Sequence, residues 1–199
     1  MKNNILKDNK LEIVVRVKVL KMTGIDEPKA FDFGEINKEH SDVVLKVGEE
    51  KFYLQRGYLA HHCAFFRRYF SRNFKEGQSG LQELELPETD AQDFQHFLEI
   101  LYGNSNVDEL NVEGVLLLAD FYDSLYVRGK CESYLMSPSK KLLKKKLELS
   151  SRFQLNLLAD KCISKMTADE YKLLADDGFL DEANPYMSRA FAKKAKTFF

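Results

Sequence analysis

Cysteine is scarce in this chain: three residues, Cys63, Cys131 and Cys162, odd in number and far apart over 199 positions. That usage excludes a disulfide framework and suits free thiols in a reducing compartment. No apolar run is long enough to cross a bilayer as a helix. Charge of one sign is also missing. Thirty Lys and Arg stand against 31 Asp and Glu, a net charge of −1, so the molecule has no overall field to gather nucleic acid or anionic lipid. Residues 1–10 are polar and lack the apolar centre of a signal peptide. What is present, 44% hydrophobic and 31% charged residues, is the mixture of a folded domain. The expectation is an intracellular soluble protein, cytoplasmic or nuclear or both, with no membrane and no nucleic acid among its partners.

Catalytic signatures are missing as well. There is no Gly-x-Ser-x-Gly elbow, and Gly77-Gln78-Ser79-Gly80 lacks the Gly-Lys-Ser/Thr ending that cradles phosphate. His61-His62-Cys63 is the nearest approach to a metal cluster, but consecutive helical residues diverge by about 100° and do not converge on one ion. Cys131 and Cys162 lie on apolar helical faces and read as core thiols. The basic run Lys140, Lys141, Lys144, Lys145 and Lys146 has no interleaved aromatic residue. It reads as a solvated helix face opposite Leu142, Leu143 and Leu147. No enzyme, no metal site and no cofactor is expected.

The organisation is clearer. Residues 11–20 alternate, with Leu11, Ile13, Val15, Val17 and Val19 on one face, which is a strand in need of partners. Residues 42–47 and 51–54 flank Gly48-Glu49-Glu50 as a hairpin. Leu59, Cys63, Phe66 and Phe70 give residues 58–70 a helical period, and residues 71–80 form a polar loop. A short strand follows at 81–86. Thr89 with Gln92 forms a capping box, and Gly103 closes the helix it opens. Asn111 caps a helix to about residue 125, and 127–135 makes another, stopped near Pro138. From Ser139 onward the pattern is wholly helical, with a second capping box at Thr167 and Glu170. A mixed unit at about 38–136 and a helical tail at about 139–199 result.

Specific residues fill this order of elements. Ser41-Asp42-Val43-Val44-Leu45-Lys46-Val47, Phe52-Tyr53-Leu54, Tyr58-Leu59-Ala60 and Phe65-Phe66-x-x-Tyr69-Phe70 resemble the opening of a BTB/POZ domain. Leu84-Glu85-Leu86-Pro87 and the segment from Phe94 to Gly103 resemble its central strand and following helix. Leu116-Leu117-Leu118-Ala119-Asp120-Phe121-Tyr122 resembles the helix before its last pair. Leu11-Glu12-Ile13-Val14-Val15-Arg16-Val17 looks like the final strand of a MATH domain, as in nematode MATH–BTB proteins. Residues 140–148, with the helix holding Cys162, resemble the helical extension of that group.

The resemblance implies an α+β BTB/POZ fold, a small mixed sheet flanked by helices, followed by an α-helical extension. Its divisions would be a residual MATH-like strand and linker at 1–30, a BTB unit at 31–136 and a BACK-like extension at 137–199. The residues ahead of the BTB unit are too few for a MATH sandwich, so that module is expected to be missing or supplied by another chain. Family members form two-fold dimers in which an aspartate and a basic residue face the dimer centre; Asp42 and Arg56 occupy those positions. Such a pair would either be matched across the interface or close locally within one subunit. Gln55 stands where the family often has histidine. For binding the cullin-3 N-terminal domain, the family presents a hydrophobic-x-Glu element, here Phe74-Lys75-Glu76, and a second contact at Tyr102. Phe74 would serve as an exposed anchor or fold back as a local plug. The implied function is a dimeric adaptor bridging a cullin-3 ubiquitin ligase to an unknown protein substrate. The alternatives are an oligomerisation module without ligase activity, or a chain that heterodimerises with BTB relatives and modulates full-length MATH–BTB adaptors.

Overall fold

A computed structural model describes residues 31–73 and 80–198. The alternating segment 11–20 and the Phe74-Lys75-Glu76 element lie outside the described residues.

Three strands make one sheet in the order β2-β1-β3: β1 Val43–Val47, β2 Glu50–Leu54 and β3 Gln82–Glu85. The β1–β2 hairpin turns at Gly48, whose φ of +58° a side chain would strain. β3 returns parallel to β1, with Val43 opposite Gln82. Val43, Val44, Leu45 and Val47 are all buried, because β1 is central and covered on both faces.

A 3-10 turn, Glu35–His40, precedes the sheet. Five helices complete the mixed unit: α1 Arg56–His62, α2 Ala64–Asn73, α3 Ala91–Leu101, α4 Val112–Phe121 and α5 Leu125–Met136. The extension consists of α6 Leu143–Phe153, α7 Asn156–Lys165, α8 Ala168–Asp176, the single turn α9 Phe179–Glu182 and α10 Pro185–Ala195. The small mixed sheet flanked by helices and followed by a helical region is the fold that the sequence implied.

Several local expectations change. Residues 58–70 are two helices rather than one, because Cys63 takes an extended conformation (φ −131°, ψ 114°). Two amides at the start of α2 donate outward instead: Ala64 N–H to the Asp123 carbonyl at 3.1 Å and Phe65 N–H to the Tyr122 carbonyl at 3.2 Å. Helix starts need such acceptors, and the α4–α5 corner supplies them. That corner also shortens α4, which ends at Phe121 rather than near 125 because Asp123 has φ +54°. The cap of α3 is Asp90, whose carboxylate accepts from the Gln92 and Asp93 amides, not Thr89. The Thr89 hydroxyl instead meets the Tyr122 hydroxyl at 3.1 Å. The Thr167–Glu170 capping box forms as expected and opens α8.

Tyr122 is fully buried. Its ring touches Phe66 at 4.9 Å, Phe65 at 5.5 Å, Phe97 at 5.6 Å and Phe94 at 5.8 Å between centroids, joining α2, α3 and α4. Burial pushes the phenol up to about 12, against the lowering effect of the Thr89 bond. Cys63, Cys131 and Cys162 are free and buried. Burial pushes the first two thiols up to about 12 and raises the third against the pull of Lys146 and Lys161.

The basic run remains largely solvated, with Lys140 and Lys144 exposed, but three of its lysines are paired with acids. Lys141 pairs with Glu113 at 2.9 Å and Glu109 at 3.6 Å, Lys145 pairs with Glu113 at 2.8 Å, and Lys144 pairs with Asp177. Leu142, expected on the apolar side, is 67% exposed because α6 starts one residue later, while Leu147 is buried. Lys141 and Lys145 thus join the extension to α4, while Lys144 pairs within the extension. Burial works to raise the Glu113 carboxyl, but the two lysine bonds outweigh it and hold the group below its ordinary value of 4.5.

Tyr122→Ala is expected to lower stability by about 3–5 kcal/mol in urea unfolding, the range for emptying a core aromatic site. Tyr122→Phe, which removes only the bond to Thr89, is expected to cost about 1 kcal/mol. For Glu113, the folded carboxyl is depressed, so its contribution is present above pH 4.5 and is lost as pH falls through the folded value. Glu113→Gln is expected to cost about 0.5–1 kcal/mol at pH 7, a modest figure because the pair is partly exposed. The gap from wild type should close as unfolding is repeated at steps below pH 4.5.

Candidate interaction site

The described residues hold two candidate places for a protein partner. The first is where β1 begins. Asp42 lies just before β1, and its Oδ1 accepts the Arg56 backbone N–H at 2.7 Å while its Oδ2 accepts the Arg56 Nε–H at 3.1 Å. Both side chains are partly exposed. One carboxylate thereby satisfies a free amide at the start of α1 and pairs with the guanidinium above it, a charge-assisted cap. The structure closes this pair within one chain, the local pairing that the sequence left open. The neighbouring Gln55 side chain donates to the His40 carbonyl at 3.3 Å.

The second is a belt of rings. Phe33, buried, meets Tyr102 at 5.2 Å between centroids; Tyr102 meets Tyr58 at 4.3 Å; Tyr58 meets His62 at 4.5 Å; and His62 meets Tyr126 at 5.8 Å. Tyr102 follows the last residue of α3, and Gly103 beyond it takes φ +76°. Its ring is half-buried, and burial raises its phenol against a bond from the Gln55 backbone. The Tyr58 hydroxyl donates to the Leu101 carbonyl at 2.9 Å. Burial, and then the nearby His61, lower His62, which favours the neutral ring at pH 7.

The belt opens to solvent at the α4–α5 corner. Phe121 is 61% exposed, Leu125 66% and Tyr126 43%. Half-buried Phe65 supports Phe121 at 5.6 Å and stacks on Tyr69 at 6.3 Å, one turn before the end of α2. Arg68 and Asp123 form an exposed pair across the corner at 3.6 Å, and Lys130 sits 5.3 Å over the Tyr126 ring. Apolar anchors rimmed by charge describe a surface made to be covered. One series of rings thus runs from Phe33 through Tyr102 to Tyr126, and Phe65, Tyr69 and Phe121 form a second group at the corner. Sequence reading missed Phe121, Leu125 and Tyr126. No stripe marks them, because residues 115–119 are apolar around most of the helix and the pattern does not show which side stays uncovered.

His61-His62-Cys63 is divided among three environments: His61 is exposed, His62 packs on Tyr58, and the Cys63 thiol is buried.

Asp42→Ala is expected to lose about 1–2 kcal/mol of stability in chemical denaturation, as a cap and a charged hydrogen bond go together. Asp42→Asn, which keeps the acceptor for the Arg56 amide, is expected to recover more than half of that loss.

The BTB/POZ domain family model matches residues 33–139. Among curated proteins, BTB and MATH domain-containing protein 15 of Caenorhabditis elegans is 40% identical over 161 residues, covering 81% of this chain and 58% of that protein. Protein 45 of the same series is 37% identical over 138 residues, and protein 38 is 26% identical over 185 residues, covering 87% of this chain. The chain spans 58%, 28% and 47% of the lengths of these three relatives, less than two thirds in each case. Among solved structures, the BTB domain of zebrafish PATZ1 aligns over 50% of this chain and 81% of its own, at 24% identity and a TM-score of 0.42. The longest of these alignments reach past residue 139 into the helical extension or ahead of residue 33, so the kinship is wider than the core domain. With its family model matched over more than half of its length, the chain belongs to the BTB/POZ family, a family of protein-interaction modules, and is related to the nematode BTB and MATH domain-containing proteins.

Proposed function

We propose that this chain is a dimeric adaptor that joins the N-terminal domain of cullin-3 to a protein substrate within a ubiquitin ligase. The unit at 31–136 would form the dimer, alone or with BTB relatives, and the BACK-like extension at 137–199 would add contact area. The observation that carries the reading is the exposed apolar corner of Phe121, Leu125 and Tyr126 beside the foot of α2. Aromatic and aliphatic anchors ringed by polar groups dominate interface energies when a partner dries them. Phe74, Lys75 and Glu76 follow directly after α2 in sequence, and Tyr102 stands at the other end of the same belt of rings. A partner helix lying along the corner would reach both. Asp42 and Arg56 take the dimer-facing positions, and their local pairing keeps either charge from being left alone before the partner subunit arrives.

Calorimetric titration with the cullin-3 N-terminal domain, with mass from light scattering, tests the reading. The expected result is sub-micromolar binding at one cullin per subunit of a dimer. Leu125→Glu, and separately the pair Phe74→Ala with Glu76→Lys, are expected to weaken binding by about tenfold or more, equivalent to about 1.4 kcal/mol. Unchanged affinity in both would remove the corner and the motif from the interface. A dimer with no detectable heat would leave an oligomerisation module, and an Asp42→Ala chain that stays fully dimeric would remove the dimer role of Asp42.

A further inference from the structure

A second concavity lies on the extension, away from the belt of rings. It opens where the end of α5 meets α6 and α7, and holds about 250 Å³. Its floor is apolar: Leu135, Leu158 and Met166 are buried, with half-buried Met136 and Leu143 as walls. Leu135 is ten residues along α5 from Leu125, about 15 Å at helical rise, so the cleft and the exposed corner are separate places.

The rim is basic. Lys161 and Lys165 stand one turn apart on α7, and neither has a carboxylate partner among the described residues. Lys146 on α6 gives one proton to the Ser139 carbonyl at 2.9 Å and keeps two more donors for a ligand. Lys141 at the edge is already spent on Glu109 and Glu113. The single carboxylate of the lining, Glu170, is turned into its capping box, where it accepts from the Thr167 N–H and hydroxyl. Three ammonium groups without an ion-pair partner among the described residues thus border an apolar floor, against the one carboxylate of Glu170. Among the described residues no carboxylate forms an ion pair with Lys146, Lys161 or Lys165.

Size narrows the occupant. Small-molecule sites usually enclose about 300–1,000 Å³ and bury most of the ligand. This cleft is smaller and open on one side, which suits one inserted side chain with its flanks lying along the rim. Charge complementarity requires those flanks to be anionic.

We propose that the cleft binds an acidic segment of a partner protein: one leucine- or methionine-sized side chain enters between α5 and α7, and Asp or Glu residues on either side meet Lys146, Lys161 and Lys165. The cleft is separate from the corner of Phe121, Leu125 and Tyr126, and the proposal does not rest on the adaptor reading.

Fluorescence anisotropy of the full chain tests this with a fluorescein-labelled nonapeptide of Asp and Glu around a central leucine. Binding is expected, weakened about fivefold or more when the central leucine becomes alanine. The pair Lys161→Glu with Lys165→Glu is expected to weaken it about tenfold or more, and the milder pair Lys161→Gln with Lys165→Gln severalfold, with thermal melts confirming the fold of each. Lys193→Glu, on α10 and outside the cleft, should leave binding unchanged. The proposal is overturned by no binding, by equal binding of the leucine and alanine peptides, by wild-type affinity in both lysine pairs, or by an equal loss in Lys193→Glu. Binding of phosphatidylserine vesicles through the same lysines, without peptide binding, would overturn it in favour of a lipid ligand. Leu125→Glu, in the corner and outside the cleft, should leave peptide binding unchanged whatever it does to cullin-3 affinity, which separates this site from the adaptor reading.

Discussion

Much of the mixed unit depends on how the first turn of α2 is anchored. Cys63 leaves helical geometry, and the amides of Ala64 and Phe65 then need acceptors that α1 no longer provides. The carbonyls of Asp123 and Tyr122 supply them, and the buried Tyr122 ring fills the space behind. A short corner of backbone therefore fixes the approach of α2, the end of α4 and the start of α5 at once. The same corner carries Phe121, Leu125 and Tyr126 outward. Its inner side is ordered by hydrogen bonds and ring packing, so its outer side is presented without the entropy loss of arranging loose side chains at the moment of contact.

The second joint is electrostatic. Glu113 on α4 holds Lys141 and Lys145, and Glu132 on α5 accepts the Leu158 N–H at the start of α7 at 3.1 Å. Individually such contacts are weak at a wet surface. Set over the shared apolar contact of α5 and α7, around Leu135 and Leu158, they orient helices that burial already brings together. The extension is an integral part of the packed body, built on the last helices of the mixed unit.

What was legible in the sequence follows from how local each signal is. The β1–β2 hairpin was readable because alternation and Gly48 both act within a dozen residues. The Thr167–Glu170 box was readable for the same reason. The Thr89 assignment failed because serine and threonine can turn to a distant partner, and here Tyr122, 33 residues away, competed successfully. The break at Cys63 was hidden because Leu59, Cys63, Phe66 and Phe70 all face the same core on both sides of it. The lysine run looked solvent-facing because the acids that Lys141 and Lys145 meet, Glu109 and Glu113, lie about thirty residues away. Of the residues proposed for interaction, the family resemblance marked Asp42, Arg56 and Tyr102, whereas Phe121 and Leu125 become visible only once packing shows what stays uncovered.

The three thiols carry one more consequence. Cys63 lies at the α1–α2 break, Cys131 in α5 and Cys162 in α7, and burial disfavours the thiolate form in each. A thiol reagent reacts with the thiolate, so in the native chain these sulfurs wait for the structure around them to open. The chain consequently contains three clocks of local opening, one for the corner, one for the last helix of the mixed unit and one for the extension. Their relative rates of alkylation would rank the order in which the layers come apart, without any label being added.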